Sequence, residues 1–324
     1  MPSVIKLTQT GAPSVLRLET VPQTEPGPHE AWIEQEAVGV NYLDVMQRNG
    51  QVTIPLPSSL GLEASGRVVA VGEKVTNIAI GDRVAYALGP IGAYATARAY
   101  PAERLVRLPE RLSFETAAAV TFKGITAQYL LKSTYSVGSD TVVLLYGAAG
   151  ALGQLMVPWA KHLGAFVIGV VSKPASIEIA RARGCDEVLV WGSGDLPSQV
   201  VALTGGRKAD VVYDGIGKTT FAASLDSLRP RGMMVSIGAS SGVPAPIEVG
   251  TLNAKGSLIL TRPSIAAYAT DIAEYHERAA DVYAAIAEGI IEPEIWKTYP
   301  LDQAAAAHAA LEDGSSAGPV VLKP

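Results

Sequence analysis

The chain has 324 residues, 48% hydrophobic and 18% charged, with a formal net charge of −5. That length exceeds one ordinary domain and suits two, and the balance is that of a soluble globular protein. The acidic charge gives no ground for nucleic acid or a membrane surface as partner; no apolar run approaches the roughly 18 residues that cross a bilayer; and the one cysteine, Cys185, excludes an intrachain disulfide and a cysteine-cluster zinc site.

The N-terminal "MPSVIKLTQTG" carries no apolar signal core, which predicts a protein that stays in the cytoplasm. Over the first 120 residues, short β-branched runs ("EAWIEQEAVGV", "ASGRVVAVG", "DRVAYAL") alternate with Gly, Pro and Asp. That pattern predicts a largely antiparallel β domain. From Thr121 strands and helices alternate: "TVVLLY", "ALGQLMVPWAKHLG", "AFVIGVVS", "SIEIARARG", "EVLVW", "ADVVYDGI", "TTFAASLDSLR", "GMMVSIGA", "SLILT". Near-continuous apolar strands predict a parallel sheet covered on both faces. Beyond Arg262 the chain is helical again, in "DIAEYHERAADVYAAIAEG" and "DQAAAAHAALEDG", and it ends in the β-like "GPVVLKP".

Leu152, Leu155, Met156, Trp159, Ala160 and Leu163 make a buried helical stripe. Pro158 interrupts that helix and removes the hydrogen bond to the Gln154 carbonyl, so a kink is expected. Cys185, in "RGCDEVLV", reads as a small buried hydrophobe just before a strand.

The stretch "YGAAGALGQ", Tyr146–Gln154, follows an apolar strand and opens that helix. Ala148, Gly150 and Gly153 occupy the three positions of a G-x-G-x-x-G pattern; Gly147, Gly150 and Gly153 can equally be read as G-x-x-G-x-x-G. Glycines let a backbone approach a pyrophosphate, and the following helix aims free N–H groups and its positive dipole end at it. A strand before and a helix after, inside a βαβ unit, give this triplet its meaning as a dinucleotide turn. The next strand ends in Ser172–Lys173–Pro174. NAD readers place a carboxylate there for the ribose 2′-OH. A serine and a lysine at a helix start attract a 2′-phosphate, which favours NADPH.

With these in place, "VNYLDVMQRNG", "GLEASGRVVAVG", "FKGITAQYLL", "YGAAGALGQ", "VVYDGIG", "MVSIGASSG", "LNAKGSL" and "TRPS" together resemble the quinone oxidoreductases (zeta-crystallin-like) of the medium-chain dehydrogenase/reductase superfamily, in register along essentially the whole chain. The resemblance implies an α/β protein: a GroES-like, mainly antiparallel β catalytic domain over residues 1–120 and 265–324, and a Rossmann doubly wound parallel-sheet cofactor domain over 121–264. It further implies NADPH, a quinone or other α,β-unsaturated carbonyl acceptor, no metal, and a homodimer joined through the cofactor domains.

It also distributes roles. Asn41 faces the nicotinamide, and Lys123 and Thr126 line the cleft. The turn Gly147, Ala148, Ala149, Gly150, Ala151, Leu152 and Gly153 serves the pyrophosphate. Asp214, Gly215, Ile216 and Gly217 close a strand end on the adenosine side. Ile237, Gly238 and Ala239 back the nicotinamide, and Asn253 lies near the dimer edge and cofactor. In four places the chain departs from the family. Ser176 stands where the family has a 2′-phosphate lysine, Trp191 where a tyrosine assists it, Gly314 where an arginine reaches it, and Val52 where a tyrosine lies near the quinone. The 2′-phosphate is thus left to Ser172, Lys173 and the indole of Trp191.

Zinc-dependent relatives carry a "G-H-E" histidine and an early cysteine. Here that triplet is "GLE", with Leu62, and the early cysteine is absent. A catalytic zinc needs about three N, O or S ligands. The four histidines, His29, His162, His276 and His308, read as structural or surface residues away from these motifs. No arrangement for hydrolysis stands out, which suits hydride transfer with the cofactor carrying the hard step. Asn41, Asp44, Glu63 and Lys123 are the candidate catalytic residues, Asn41 to orient the nicotinamide or bond the acceptor, Asp44 and Glu63 to fix its loop. Reduction of an enone or acrylate double bond is the alternative activity, and a non-catalytic NADPH-binding role, structural or RNA-binding, a further one.

Overall fold

The computed structural model describes all 324 residues, Met1–Pro324. They form two compact units. The first comprises Met1–Ile125, Thr270–Ala284 and Pro293–Pro324; the second comprises Thr126–Ala269 and Ala285–Glu292.

The first unit is built on β1 (Glu30–Val40), an 11-residue strand whose run of buried side chains makes it the centre of a seven-stranded sheet. Beside it lies β2 (Glu63–Val71), then Arg83–Ala87 and Val106–Arg107. Across its other edge come the C-terminal Val320–Lys323 and then Lys297–Pro300. Every pairing is antiparallel except the last. Two register shifts in the β1–β2 ladder bend β1, and its first half also pairs with Ala97–Pro101. The core of this unit collects Ile33, Val38, Leu60, Tyr86, Tyr94 and Tyr100 with the C-terminal Val320 and Leu322. The "GPVVLKP" end is thus a central strand of the first sheet.

The second unit holds a six-stranded, all-parallel sheet. Its strands are β3 (Val142–Tyr146), β4 (Phe166–Val171), β5 (Glu187–Val190), β6 (Ala209–Asp214), β7 (Leu228–Ser236) and β8 (Ile259–Thr261). They lie in the order β5-β4-β3-β6-β7-β8. This is a doubly wound arrangement whose order reverses at β3. The strands "VVLLY" and "ADVVYD" are buried at every position, as a sheet covered on both faces requires.

The division falls a few residues from the change in sequence character. The helix α1 (Phe114–Tyr129) runs unbroken through the joint at Ile125/Thr126. That joint lies five residues beyond the change in sequence character at 120/121. The return falls at Ala269/Thr270 instead of 264/265, and Ala285–Glu292 clusters with the second unit.

Candidate active site and cofactor turn

In the first unit, β1 ends at Val40 and Asn41 is the N-cap of the helix Tyr42–Asn49. A capping box closes there: the Asn41 side chain accepts from the Asp44 backbone, and Asp44 Oδ2 accepts from Asn41 N at 2.9 Å. The other end of the Asn41 amide donates from Nδ2 to Glu63 Oε2 at 3.0 Å. That bond holds the amide nitrogen against Glu63. Glu63 starts β2 and is fully buried. Its Oε1 accepts from Phe122 N at 2.6 Å, and Lys123 Nζ lies 3.4 Å from its Oε2. Gly39 makes room for this knot: a Cβ there would meet Glu63 Oε2 at 2.4 Å and the Ala118 carbonyl at 2.1 Å. The structure therefore brings Asn41, Asp44, Glu63 and Lys123 together, each at most 9% exposed.

Burial dominates the electrostatics. It raises the Glu63 carboxyl against the opposing pull of Lys123. It pushes Asp44 up to about 7, against hydrogen bonds from Asn41 and Tyr94. Tyr94 Oη donates to Asp44 Oδ2 at 3.0 Å and lies 2.9 Å from His308 Nε2. A hydroxyl that gives its one proton to Asp44 must accept from the imidazole, which fixes His308 as the Nε2–H tautomer. Burial, then the nearby Arg48, pulls His308 down to about 3, so it stays neutral.

Sequence reading set His308 apart from these motifs. It is structural, and it is also the far end of a buried chain to Asp44. The partners are 50 and 214 residues apart along the chain, and no local spacing announces them. Chemically, the cluster presents an oriented amide and a carboxylate-tethered ammonium in a desolvated setting. Such donors can stabilise negative charge that develops on an oxygen. No activated nucleophile accompanies them.

In the second unit the turn after β3 is tight. Gly147 takes φ +70°, and Gly150 N bonds the Gly147 carbonyl at 2.8 Å. The helix α2 (Gly153–His162) begins at the third glycine. A Cβ on Gly153 would meet the Ala148 and Gly147 carbonyls at 2.4 and 2.5 Å, so only glycine fits. Ala148 is accommodated at the first position because its methyl faces Gly169 of β4. Gly147 is exposed, Ala149, Gly150, Ala151 and Leu152 half-buried. Buried Leu155, Met156, Trp159 and Ala160 confirm the helical stripe through Pro158. Arg183, unmarked in the sequence, donates from Nη1 to the carbonyls of Ala148 and Gly150 at 3.1 and 2.9 Å.

At the end of β4, Ser172 and Lys173 are exposed, and Lys173, extended at φ −148°, caps a turn that Pro174 starts. No carboxylate stands there. Ser176 is buried in that turn, and Trp191 is half-buried, edge-on to Tyr146 at 6.1 Å in the apolar core. Both therefore serve packing first, and Lys173 is the one exposed cation among the three positions.

Asp214 closes the end of β6. It is fully buried and both its oxygens are spent within the fold, on Ile216 N, Gly217 N, Thr220 Oγ1 and Ser224 Oγ. Through these bonds it shapes the Gly215–Gly217 loop. Ile237, Gly238 and Ala239 follow β7, and Gly238 packs on Gly215, where a Cβ would lie 2.7 Å from the Gly215 carbonyl. Because the sheet is parallel, the turn, Ser172–Lys173 and these two loops share the carboxyl rim of the strands, where such sheets bind ligands. Thr126 is half-buried on α1, and Asn253 is exposed on the short helix Val249–Ala254.

A family model described as the alcohol dehydrogenase GroES-like domain matches residues 27–110, and one described as zinc-binding dehydrogenase matches residues 151–281. A GroES-like sheet followed by a Rossmann unit with this turn defines a medium-chain dehydrogenase/reductase. No three His, Cys, Asp or Glu residues are grouped to hold a metal, and buried Leu62 fills the "GLE" position. The quinone oxidoreductase of Pseudomonas aeruginosa is 41% identical over 99% of both chains, and a 2-haloacrylate reductase of a Burkholderia species is 41% identical over 97% of this chain and 96% of that one. The crystal structure of Escherichia coli quinone oxidoreductase complexed with NADPH matches with a TM-score of 0.97 at 39% identity, over 99% of this chain and 100% of that one. The chain belongs to the quinone oxidoreductase family.

Proposed function

We propose that this protein reduces a quinone with hydride from NADPH, without a metal. The observation that carries the cofactor choice is the carboxyl rim of the second unit, where a glycine turn with open N–H groups stands beside exposed Ser172 and Lys173 and no carboxylate. Bound NADPH would supply the hydride. The protein's own work is to hold and complete the reaction. The turn Gly147–Gly153 holds the pyrophosphate, and Lys173 offsets the 2′-phosphate. The loops Gly215–Gly217 and Ile237–Ala239 shape the same rim, with Thr126 and Asn253 as further contacts. Asn41, locked by Asp44 and Glu63, presents an amide donor to the carbonyl region. The reduced acceptor must also gain a proton, and Lys123 Nζ, tethered to Glu63, is its assigned donor.

The likeness to a 2-haloacrylate reductase supports a second reading, in which the same donors stabilise the enolate formed by hydride addition to an activated double bond. Relative kcat/KM for 1,4-benzoquinone and 2-chloroacrylate, with NADPH, separates them. A higher value for the quinone supports the first reading, and a higher value for the acrylate replaces it with the second. NADPH binding without turnover on any acceptor would favour a non-catalytic role. No helix is long and apolar enough to cross a membrane, and a cytoplasmic homodimer joined through the second unit, with no nucleic-acid partner, completes the proposal.

A further inference from the structure

Arg183 follows the short helix Ile177–Ala182 and lies half-buried. One guanidinium nitrogen, Nη1, reaches two carbonyls of the glycine turn, Ala148 O at 3.1 Å and Gly150 O at 2.9 Å, more than thirty residues away in the chain. A trans peptide is planar, so its C=O and N–H point in opposite directions. Drawing the carbonyls of Ala148 and Gly150 toward Arg183 turns the N–H groups of Ala149 and Ala151 away from it. Neither of these two donates a hydrogen bond within the chain. The intervening N–H, on Gly150, is instead consumed inside the turn by the Gly147 carbonyl. Alternate peptides are thus flipped so that two free donors face one way, an arrangement suited to an anion.

We propose that Arg183 is a positioning residue for the cofactor's pyrophosphate, holding the Ala148–Ala149 and Gly150–Ala151 peptides in the anion-receptive orientation. The inference rests on the dinucleotide reading of this turn. It gives the task to a side chain outside the turn and away from Lys173. The two residues then divide the cofactor: Lys173 acts on the 2′-phosphate alone, while Arg183 acts on the diphosphate that NADPH and NADH share.

The test is calorimetric titration of wild type, Arg183→Met and Arg183→Lys with NADPH, NADH and adenosine 2′-monophosphate, which lacks the diphosphate. Arg183→Met keeps the apolar stem and removes the fork. It should weaken NADPH and NADH by the same factor, about 10-fold for lost charge-assisted bonds, and change adenosine 2′-monophosphate less than about 2-fold on the same scale. Arg183→Lys should recover part of the loss. Unchanged dinucleotide affinity in Arg183→Met overturns the inference, as does an equal loss for adenosine 2′-monophosphate, which would mark general damage. Should Arg183→Met not fold, Arg183→Lys decides, and wild-type affinity for both dinucleotides in that variant overturns the inference. A wild type that binds neither dinucleotide overturns the cofactor reading and this inference with it.

Discussion

At Lys173 the strand β4 has just ended, the backbone is extended, and the ammonium stands exposed at the sheet's carboxyl rim. Ser176 is buried and Trp191 is packed on Tyr146, so little else there can share a 2′-phosphate. A hydrogen bond to a charged group contributes about 1.5–3 kcal/mol, and an exposed lysine belongs at the lower end. Lys173→Ala should weaken NADPH about 10-fold and leave NADH nearly unchanged in fluorescence titrations. Equal weakening of both would make Lys173 a structural residue only. Asp44 offers a different measurement. Its folded pKa, about 7, lies above the ordinary aspartate value of 3.8, so the fold holds this proton more tightly than the unfolded chain. The stabilisation is complete below about pH 4 and is lost as pH rises to about 7, a change of at most about 4 kcal/mol. Asp44→Asn keeps an acceptor for Asn41 N and Tyr94 Oη without the charge. Its melting temperature should therefore gain on wild type between pH 4 and 7 and run parallel above. Parallel curves throughout would show that Asp44 ionises freely.

Among the elements, the glycine turn was legible because sterics allow few residues there. Gly153 is required by two carbonyls, and β3 and α2 flank it as the pattern expects. The short strand "SLILT" was legible as the last of the alternating apolar strands, and β8 closes the parallel sheet at one edge. Arg183 was not legible, because its partners are backbone carbonyls, which leave no mark in a sequence. Tyr94 and His308 were hidden for a related reason: buried aromatic and imidazole groups look like core until the chain brings Asp44 beside them. The edge strand carries its own prediction. Ile259 on β8 is 49% exposed, and Val243 and Val249 before it are 75% and 81% exposed. An apolar edge of this kind is normally covered or paired. Light scattering at micromolar concentration should show a dimer, and Ile259→Glu should shift it toward monomer. A monomeric wild type would remove this face from the account.

For the whole molecule, the two units divide the chemistry in a way that composition alone could not reveal. The first supplies a buried knot of Asn41, Asp44, Glu63 and Lys123, and the second supplies the rim proposed to accept a dinucleotide. The sequence carried the two-unit plan through its change from turn-rich β runs to alternating strands and helices. The joints between the units, at Ile125/Thr126 and Ala269/Thr270, fall five residues from those changes in character, the first of them inside unbroken α1. The central claim is NADPH-dependent reduction of a quinone, and initial-rate kinetics on 1,4-benzoquinone with NADPH and with NADH tests it most directly. Turnover is expected, with a kcat/KM for NADPH well above that for NADH. Absence of turnover, or a preference for NADH, would contradict it.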